Sequence, residues 1–210
     1  MDLSEINFAV LVASLIVAST PLVLAALGEL IVEKAGVLNL GVEGMMIIGA
    51  VAGFIVGVET GSAYIGMIAA AVAGALLSLL FAFIILIMQA NQVASGLALT
   101  IFGLGIAALM GHPYTGIKSP QISTISIPIL SEIPILGTMF FQHDLIVYLS
   151  LISVLTIWYF LTRMRAGLIL RSVGEDHDVA HSLGYRVITI RFLAIAVSYT
   201  HLRAHETDRH

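Results

Sequence analysis

Long apolar runs constrain this chain more than any other feature of its sequence. A helix that crosses the hydrocarbon core of a bilayer needs about 20 predominantly apolar residues. Runs of roughly that length cover four stretches, 6–27, 64–88, 93–110 and 144–161. A soluble domain carries about 25% charged residues, whereas this chain is 10% charged and 59% hydrophobic. The sequence therefore predicts an all-α fold, a polytopic transmembrane helical bundle.

Two shorter apolar segments bring the predicted bundle to about six segments. The segment 45–58 can cross a bilayer only if part of the preceding 38–44 region is also helical. The segment 187–198 contains Arg191 and is too short to cross.

Composition excludes several classes of function. The chain has no cysteine, which rules out disulfides, thiolate metal sites and a cysteine nucleophile. Its net charge of −4 is thinly spread, and it lacks the basic patch with interleaved aromatic residues that is typical of nucleic-acid binding. The first apolar run follows Asp2 and Glu5 rather than a basic segment, which favours a retained membrane helix over a cleaved signal peptide.

A polar, glycine-punctuated stretch at 28–44 interrupts sequence that otherwise suits lipid. Ionisable groups at bilayer depth are costly and usually face protein or a water-filled path. Two interpretations stay open: a broken or re-entrant helix beside such a path, or an ordinary cytoplasmic loop before a polar helix start. The polar residues and glycines of this stretch are Glu29, Glu33, Lys34, Asn39, Glu43, Gly28, Gly36, Gly41 and Gly44.

Small residues mark predicted packing faces. A glycine recurs at every fourth position of 49–61, and Gly66, Ala70 and Gly74 form a second stripe, a pattern that lets membrane helices approach closely. At the start of the fourth apolar segment, Ser95 and Thr100 either line a path or hydrogen-bond to their own helix.

The long connection 111–143 carries four prolines and a β-branched run at 122–129. We expect extended chain with a short amphipathic piece on the membrane surface. His112 and His143 stand apart, and neither has a partner at ligand spacing, so no metal site is predicted.

Basic residues predict the orientation. The positive-inside rule places the arginine-rich region 163–191 in the cytoplasm, and alternation then puts Lys34 inside and Lys118 and the N-terminus outside. Trp158 and Tyr159 are expected to anchor the fifth segment at the interface.

From Tyr199 onwards the sequence turns polar in the middle of an apolar segment. We interpret 1–198 as a partial transmembrane domain and 199–210 as a non-native tail, and expect the chain to be C-terminally truncated.

Four stretches together resemble one family of transport proteins. The residues 28–46, 91–105, 127–137 and 170–198 resemble permease subunits of the ABC importers that carry branched-chain amino acids, ribose and nucleosides. The simple-sugar/nucleoside branch is the most similar, and the resemblance covers essentially 6–198.

The resemblance implies a coupling loop that docks into a cytoplasmic ATPase. It aligns Gly174, Glu175, Asp176, Ala180 and Gly184 with that element. The physics is compatible, because Glu175, Asp176 and Asp178 are expected in the first turn of a short helix, where acidic residues are favourable, and Gly184 supplies a C-terminal stop.

The resemblance also implies a substrate pathway at a helix break. The residues it suggests for this path are Asn39, Gly41, Glu43, Gly44, Asn91, Gln92 and Ser95.

The function implied is that of a permease subunit of an ATP-driven importer of nucleosides or simple sugars, multi-pass in the bacterial cytoplasmic membrane. It is not expected to be an enzyme or to hold a cofactor, because a phosphate-binding Walker A pattern is absent and a partner ATPase must bind ATP. The expected partners are that ATPase, a second permease, an extracytoplasmic substrate-binding lipoprotein and membrane lipid, but no nucleic acid. The alternatives are a secondary, ion-coupled transporter of small polar solutes and an intramembrane enzyme, for which no catalytic constellation is found.

Overall fold

The fold is helical, as predicted. The computed structural model describes residues 8–118, 125–126 and 142–198. The helices in this part of the chain are α1 Phe8–Lys34, α2 Val42–Thr60, α3 Ala63–Ala82, α4 Gln92–Gly111, α5 Leu145–Arg163, α6 Arg165–Glu175, α7 His177–Ser182 and α8 Val187–Ser198. A π-helical turn, Phe83–Ile87, extends α3, and a 3₁₀ turn, His112–Tyr114, follows α4.

Within the described residues, the five helices α1 to α5 are long and apolar enough to cross a membrane. α2 reaches 19 residues because it begins at Val42, which meets the condition that part of the 38–44 region be helical. α8 has 12 residues and does not qualify as a span, as predicted.

The prediction that the chain is interrupted from Gly28 onwards was wrong for its first part. α1 continues through Gly28 and the two glutamates to Lys34, so only 35–41 is non-helical. Glutamate and lysine are good helix formers, and a single glycine costs only about 1 kcal/mol in a helix. A polar composition therefore did not require the helix to end.

Glycine contacts set the packing of α2 against its neighbours α3 and α4. A Cβ added at Gly66 of α3 would lie 2.6 Å from the Gly53 carbonyl oxygen of α2. A Cβ added at Gly103 of α4 would lie 2.6 Å from the Gly44 carbonyl oxygen of α2. Side chains at these positions would force the helices apart, so glycine allows the backbones to touch.

The predicted glycine stripe of α2 is shorter than the sequence pattern. Gly49, Gly53 and Gly57 are buried, but Gly61 is exposed and ends the helix in the left-handed conformation with φ +68°. Gly61 is therefore a helix cap and not part of the packing face. The second predicted stripe, on α3, is buried along its length.

The remaining helices form a second group. α1 packs against α5, α6 and α8, and α3 contacts α8, which joins the two groups. One core cluster runs through both, with Leu24, Val32, Val37, Met45, Phe81, Ala82, Ile85, Leu99, Ile146 and Ile195 buried.

One end of the bundle carries most of the basic residues. The 35–41 connection lies there with the 88–91 turn and with α6, because Leu38 hydrogen-bonds to Gln92 and Gly36 touches Gly174. Lys34 and the arginines of 163–191 are thus brought to the same end, which agrees with the predicted topology. Which side of the membrane this end faces stays a prediction.

The long connection is described only in part. β1 Ile125–Ser126 pairs antiparallel with β2 Gln142–His143, which agrees with extended chain in that part of the β-branched run. The rest of that run, the predicted amphipathic piece and the predicted tail 199–210 lie outside the described residues.

We expect Gly103→Ala to lower the free energy of unfolding by about 1 to 3 kcal/mol, the usual cost of overpacking. The added methyl group would meet the α2 backbone. Gly105→Ala on the same helix is the matched control, because a Cβ there meets nothing within 4 Å. Unfolding by SDS titration in mixed micelles measures both, and equal effects would contradict the packing.

Candidate functional site

The 35–41 connection is a compact turn whose side chains alternate between buried and exposed. Gly36 has φ +77°, a conformation that favours glycine. Ala35 and Val37 on either side are buried, while Leu38 and Leu40 are exposed. The connection therefore packs into the bundle on one side and presents leucines on the other.

Asn39 holds this connection together. Its side chain is only 3% exposed, and its Oδ1 accepts a hydrogen bond from the Gly41 N–H at 2.8 Å. Its Nδ2 donates to Met45 Sδ at 3.7 Å, and its backbone N–H donates to Glu29 Oε1 at 3.3 Å. Asn39 thus closes a local turn just before α2, whose N-cap is Gly41, and its proposed contact with substrate stays a prediction.

α4 binds the other side of the connection. Gln92 Oε1 accepts a hydrogen bond from the Leu38 N–H at 2.8 Å. Thr100 Oγ1 donates to the Leu40 carbonyl at 3.0 Å and to the Gly96 carbonyl of its own helix at 3.3 Å. The two interpretations of Thr100 did not include this cross-connection, because sequence spacing cannot show which carbonyl of another segment lies opposite.

The predicted pathway residues on α2 divide into two faces. Gly41 and Gly44 contact α4, and a Cβ at Gly96 would lie 2.9 Å from the Gly41 nitrogen. Glu43 is exposed and continues a face of α2 formed at helical spacing by Ile47, Ala50 and Phe54. Glu43 therefore lies on a different side of α2 from the glycines that contact α4.

The same face of α2 lines a cavity of about 720 Å³ at the far end of the bundle. The other wall comes from the turn after α4, with Tyr114 and Lys118. Tyr114 donates a hydrogen bond to Glu59 Oε1 at 2.8 Å, which ties that turn to the end of α2. The lining is mostly apolar, with a few polar groups at one end.

The two remaining pathway candidates lie at the start of α4. Asn91 is its N-cap, and Oδ1 accepts a hydrogen bond from the Ala94 N–H at 3.1 Å. Ser95 is half-buried one turn later. Both lie at the connection end of the bundle, away from the cavity, because α4 runs from one end to the other.

The predicted coupling element forms the short helix α7. Asp176 is its N-cap, and Oδ1 accepts hydrogen bonds from the Asp178 and Val179 N–H groups, each at 3.0 Å. Gly184, with φ +88°, follows the helix end as expected of a stop. The prediction that Glu175 lies in the first turn was wrong: Glu175 ends α6, because Asp176 is extended and separates the two helices.

α7 packs against its neighbours through one buried residue, while apolar side chains next to that residue are exposed. Ala180 is buried with Val173 of α6 and Val187 of α8. Val179 of this helix is 54% exposed, and Leu183, the residue that follows it, is 70% exposed. Large apolar side chains with this exposure, at the end of the bundle that carries the charged residues, suit contact with another protein better than contact with water.

Metal ligation finds no support in the described residues. No group of three or more His, Asp or Glu residues there could hold a metal ion. Among those residues His143 is buried beside the Tyr148 ring, and His112 lies at the end of α4.

Residues 11–198 match the family described as "branched-chain amino acid transport system / permease component". The match covers all five spanning helices, apart from the first turn of α1, and the α6–α8 region. The chain belongs to this family. It is therefore a multi-pass membrane protein of the permease type.

Three curated relatives resemble the chain. A putative glucose ABC transporter permease of Haloferax volcanii is 39% identical, over 86% of this chain and 56% of the relative. A guanosine ABC transporter permease of Bacillus subtilis is 34% identical, over 94% and 66%. A nucleoside ABC transporter permease of Lactococcus lactis subsp. cremoris is 32% identical, over 90% and 63%. The chain thus spans less than two thirds of the length of each, and no solved structure matches it.

The relatives confirm the predicted family and its sugar/nucleoside branch. All three are named as permeases of ABC transporters. This favours the ATP-driven interpretation over the ion-coupled alternative.

We expect Asn39→Ala to lower the free energy of unfolding by about 1 to 3 kcal/mol, since it leaves the buried Gly41 N–H unpaired. Asn91→Ala removes a cap that is exposed to solvent and should cost less, because water can replace the lost oxygen. Thermal unfolding in detergent compares the two, and a larger loss for Asn91→Ala would contradict the role of Asn39.

Proposed function

We propose that this chain forms the membrane path of an ATP-driven importer for nucleosides or simple sugars. The relatives named for glucose, guanosine and nucleosides support this substrate class. A separate cytoplasmic ATPase hydrolyses ATP, because the sequence has no phosphate-binding loop of its own. A substrate-binding lipoprotein outside the membrane delivers the solute, and a second, homologous permease completes the path.

The observation that carries the proposal is the exposed apolar surface of α7, formed by Val179 and Leu183. Val179 lies on α7 and Leu183 directly follows it, and the helix is capped by Asp176 and packs against α6 and α8 through Ala180. A helix presented in this way fits a groove on another protein, where its apolar residues become buried. We therefore assign Val179 and Leu183 to the ATPase contact, with Asp176, Ala180 and Gly184 shaping the helix and Gly174 and Glu175 leading into it.

The exposed face of α2 is the proposed solute path. Glu43, Ile47, Ala50 and Phe54 share this face, and its outer part lines the cavity. Glu43 supplies a charged acceptor near the connection, where Asn91, Gln92 and Ser95 add polar groups. Gly41 and Gly44 contribute indirectly, because their contacts with α4 position this face.

This assignment places the two ends of the bundle on opposite sides of the membrane. The end with α6, α7 and Lys34 faces the cytoplasm, and the end with the cavity and Lys118 faces outward, as the positive-inside rule requires. The cavity then lies where a binding protein releases its solute.

Leu183→Asp should abolish copurification of the ATPase with the permease, because a carboxylate would have to be desolvated in the groove. Leu168→Asp introduces the same charge at an exposed leucine of α6, 47% exposed, and should leave the complex intact. Affinity purification of the assembled importer with quantification of the ATPase band measures this. Normal ATPase recovery with Leu183→Asp would refute the α7 contact.

Ala50→Trp should reduce solute uptake at least about tenfold, since a bulky ring would fill the cavity and prevent the solute from binding there. ATPase copurification should be unchanged. Leu76→Trp is the control, because Leu76 is 61% exposed on α3 and lies outside the cavity lining. Uptake of labelled guanosine and glucose in vesicles measures both variants, and equal rates would exclude this face as the path.

A further inference from the structure

A contact between two glycines joins α6 to the 35–41 connection. Gly174 of α6 lies directly against the Lys34 carbonyl, and a Cβ added to it would collide with that oxygen. A Cβ added to Gly36 would lie 3.0 Å from Gly174 Cα and 3.1 Å from the Gly174 carbonyl oxygen. The two backbones therefore touch with no side chain between them.

Arg191 of α8 fastens this contact. Its Nε donates a hydrogen bond to the Ala35 carbonyl at 3.0 Å, and its Nη2 donates to the Val173 carbonyl at 3.5 Å. One guanidinium thus bridges the residue before Gly36 and the residue before Gly174. A planar guanidinium offers several donors in a fixed fork, which a lysine ammonium does not.

This junction lies between the segment that leads into α7 and the segment that leads into α2. Gly174 is followed by Glu175 and by Asp176, the N-cap of α7. Gly36 is followed by the turn in which Asn39 accepts a hydrogen bond from the Gly41 N–H, just before α2 begins. Gly36 and Gly174 therefore join α6 to the 35–41 connection by their backbones, and the Arg191 side chain binds both segments.

We propose that Arg191 is a positioning residue that makes α6–α7 and the 35–41 connection move as one body. A displacement of α7 by an ATPase would then reach the start of α2, and with it the face that carries Glu43. This inference rests on the proposed function, since it assigns the route by which ATP hydrolysis reaches the solute path. A contiguous packed element with two positions is the physical requirement for such coupling.

The test measures movement of the connection directly. Because the chain has no cysteine, Leu38→Cys places a single thiol in the connection, at a side chain that is 46% exposed. The rate of maleimide labelling is measured in the assembled importer, in nucleotide-free and in ATP/vanadate-trapped states. With Arg191 present, we expect the two rates to differ.

In Arg191→Gln, the difference between the two labelling rates should disappear, while ATPase copurification and ATP hydrolysis are retained. The ATP hydrolysed per solute imported should rise by about tenfold, within the 5- to 150-fold range of typical coupling between sites. Arg191→Lys should give an intermediate loss because it keeps the charge without the fork. Arg186→Gln is the matched control, since Arg186 is exposed in the same region, and should behave as the unaltered chain.

Gly174→Ala tests the same junction with Arg191 intact, and decides the matter if Arg191→Gln does not reach the membrane. It should also uncouple, because the methyl group displaces the Lys34 carbonyl. Retention of the nucleotide response in either variant overturns the inference, as does a proportional loss of ATPase binding and transport, which indicates a merely structural role. Failure of any ATPase to bind the unaltered chain would instead count against the proposed function.

Discussion

The structure depends on satisfying the backbone polar groups of the 35–41 connection at the end of an apolar bundle. An unpaired buried N–H or carbonyl costs about 1 to 3 kcal/mol. The partners come from several elements. Glu29 of α1 accepts from the Asn39 N–H, Gln92 and Thr100 of α4 bind Leu38 and Leu40, and Arg191 of α8 donates to Ala35. Within the connection, Asn39 accepts from the N–H of Gly41, the N-cap of α2. This short turn therefore gathers α1, α2, α4 and α8, and it is where the two groups of helices meet.

Glycine contacts extend this organisation along the bundle. Because lipid tails are as apolar as leucine, burial alone gives little preference for one helix arrangement over another in a membrane. Close backbone approach supplies that preference where Gly44 meets Gly103 and where Gly53 meets Gly66. A close backbone contact between glycines also occurs outside the spans, where Gly36 meets Gly174. The polar turn and the glycine contacts together fix α2 against α3 and α4 and leave the side with Glu43 exposed.

Many residues of the candidate site could be predicted from the sequence, but the role of each residue could not. The polar residues near the connection were identified, as were Asp176, Ala180 and Gly184 of the short helix. Their roles differ from what residue type suggests, because Asn39 is turned inward and closes its own turn while Glu43 stays exposed. Residue type gives the chemistry that a side chain can perform, whereas the direction in which it points depends on helix rotation and on neighbours far away in sequence.

The sequence by itself determined the helical membrane class, the approximate spans, the family and the gathering of positive charge at one end. The class, the spans and the gathering of charge follow from composition, run length and local pattern, which act within a few turns of the chain, whereas the family follows from the resemblance of four stretches. Only the tertiary structure decided that Thr100 and Arg191 bind the connection and that Gly36 lies on Gly174. Those facts join residues 60 to 156 positions apart, and a contact over such separations is set by how whole helices pack.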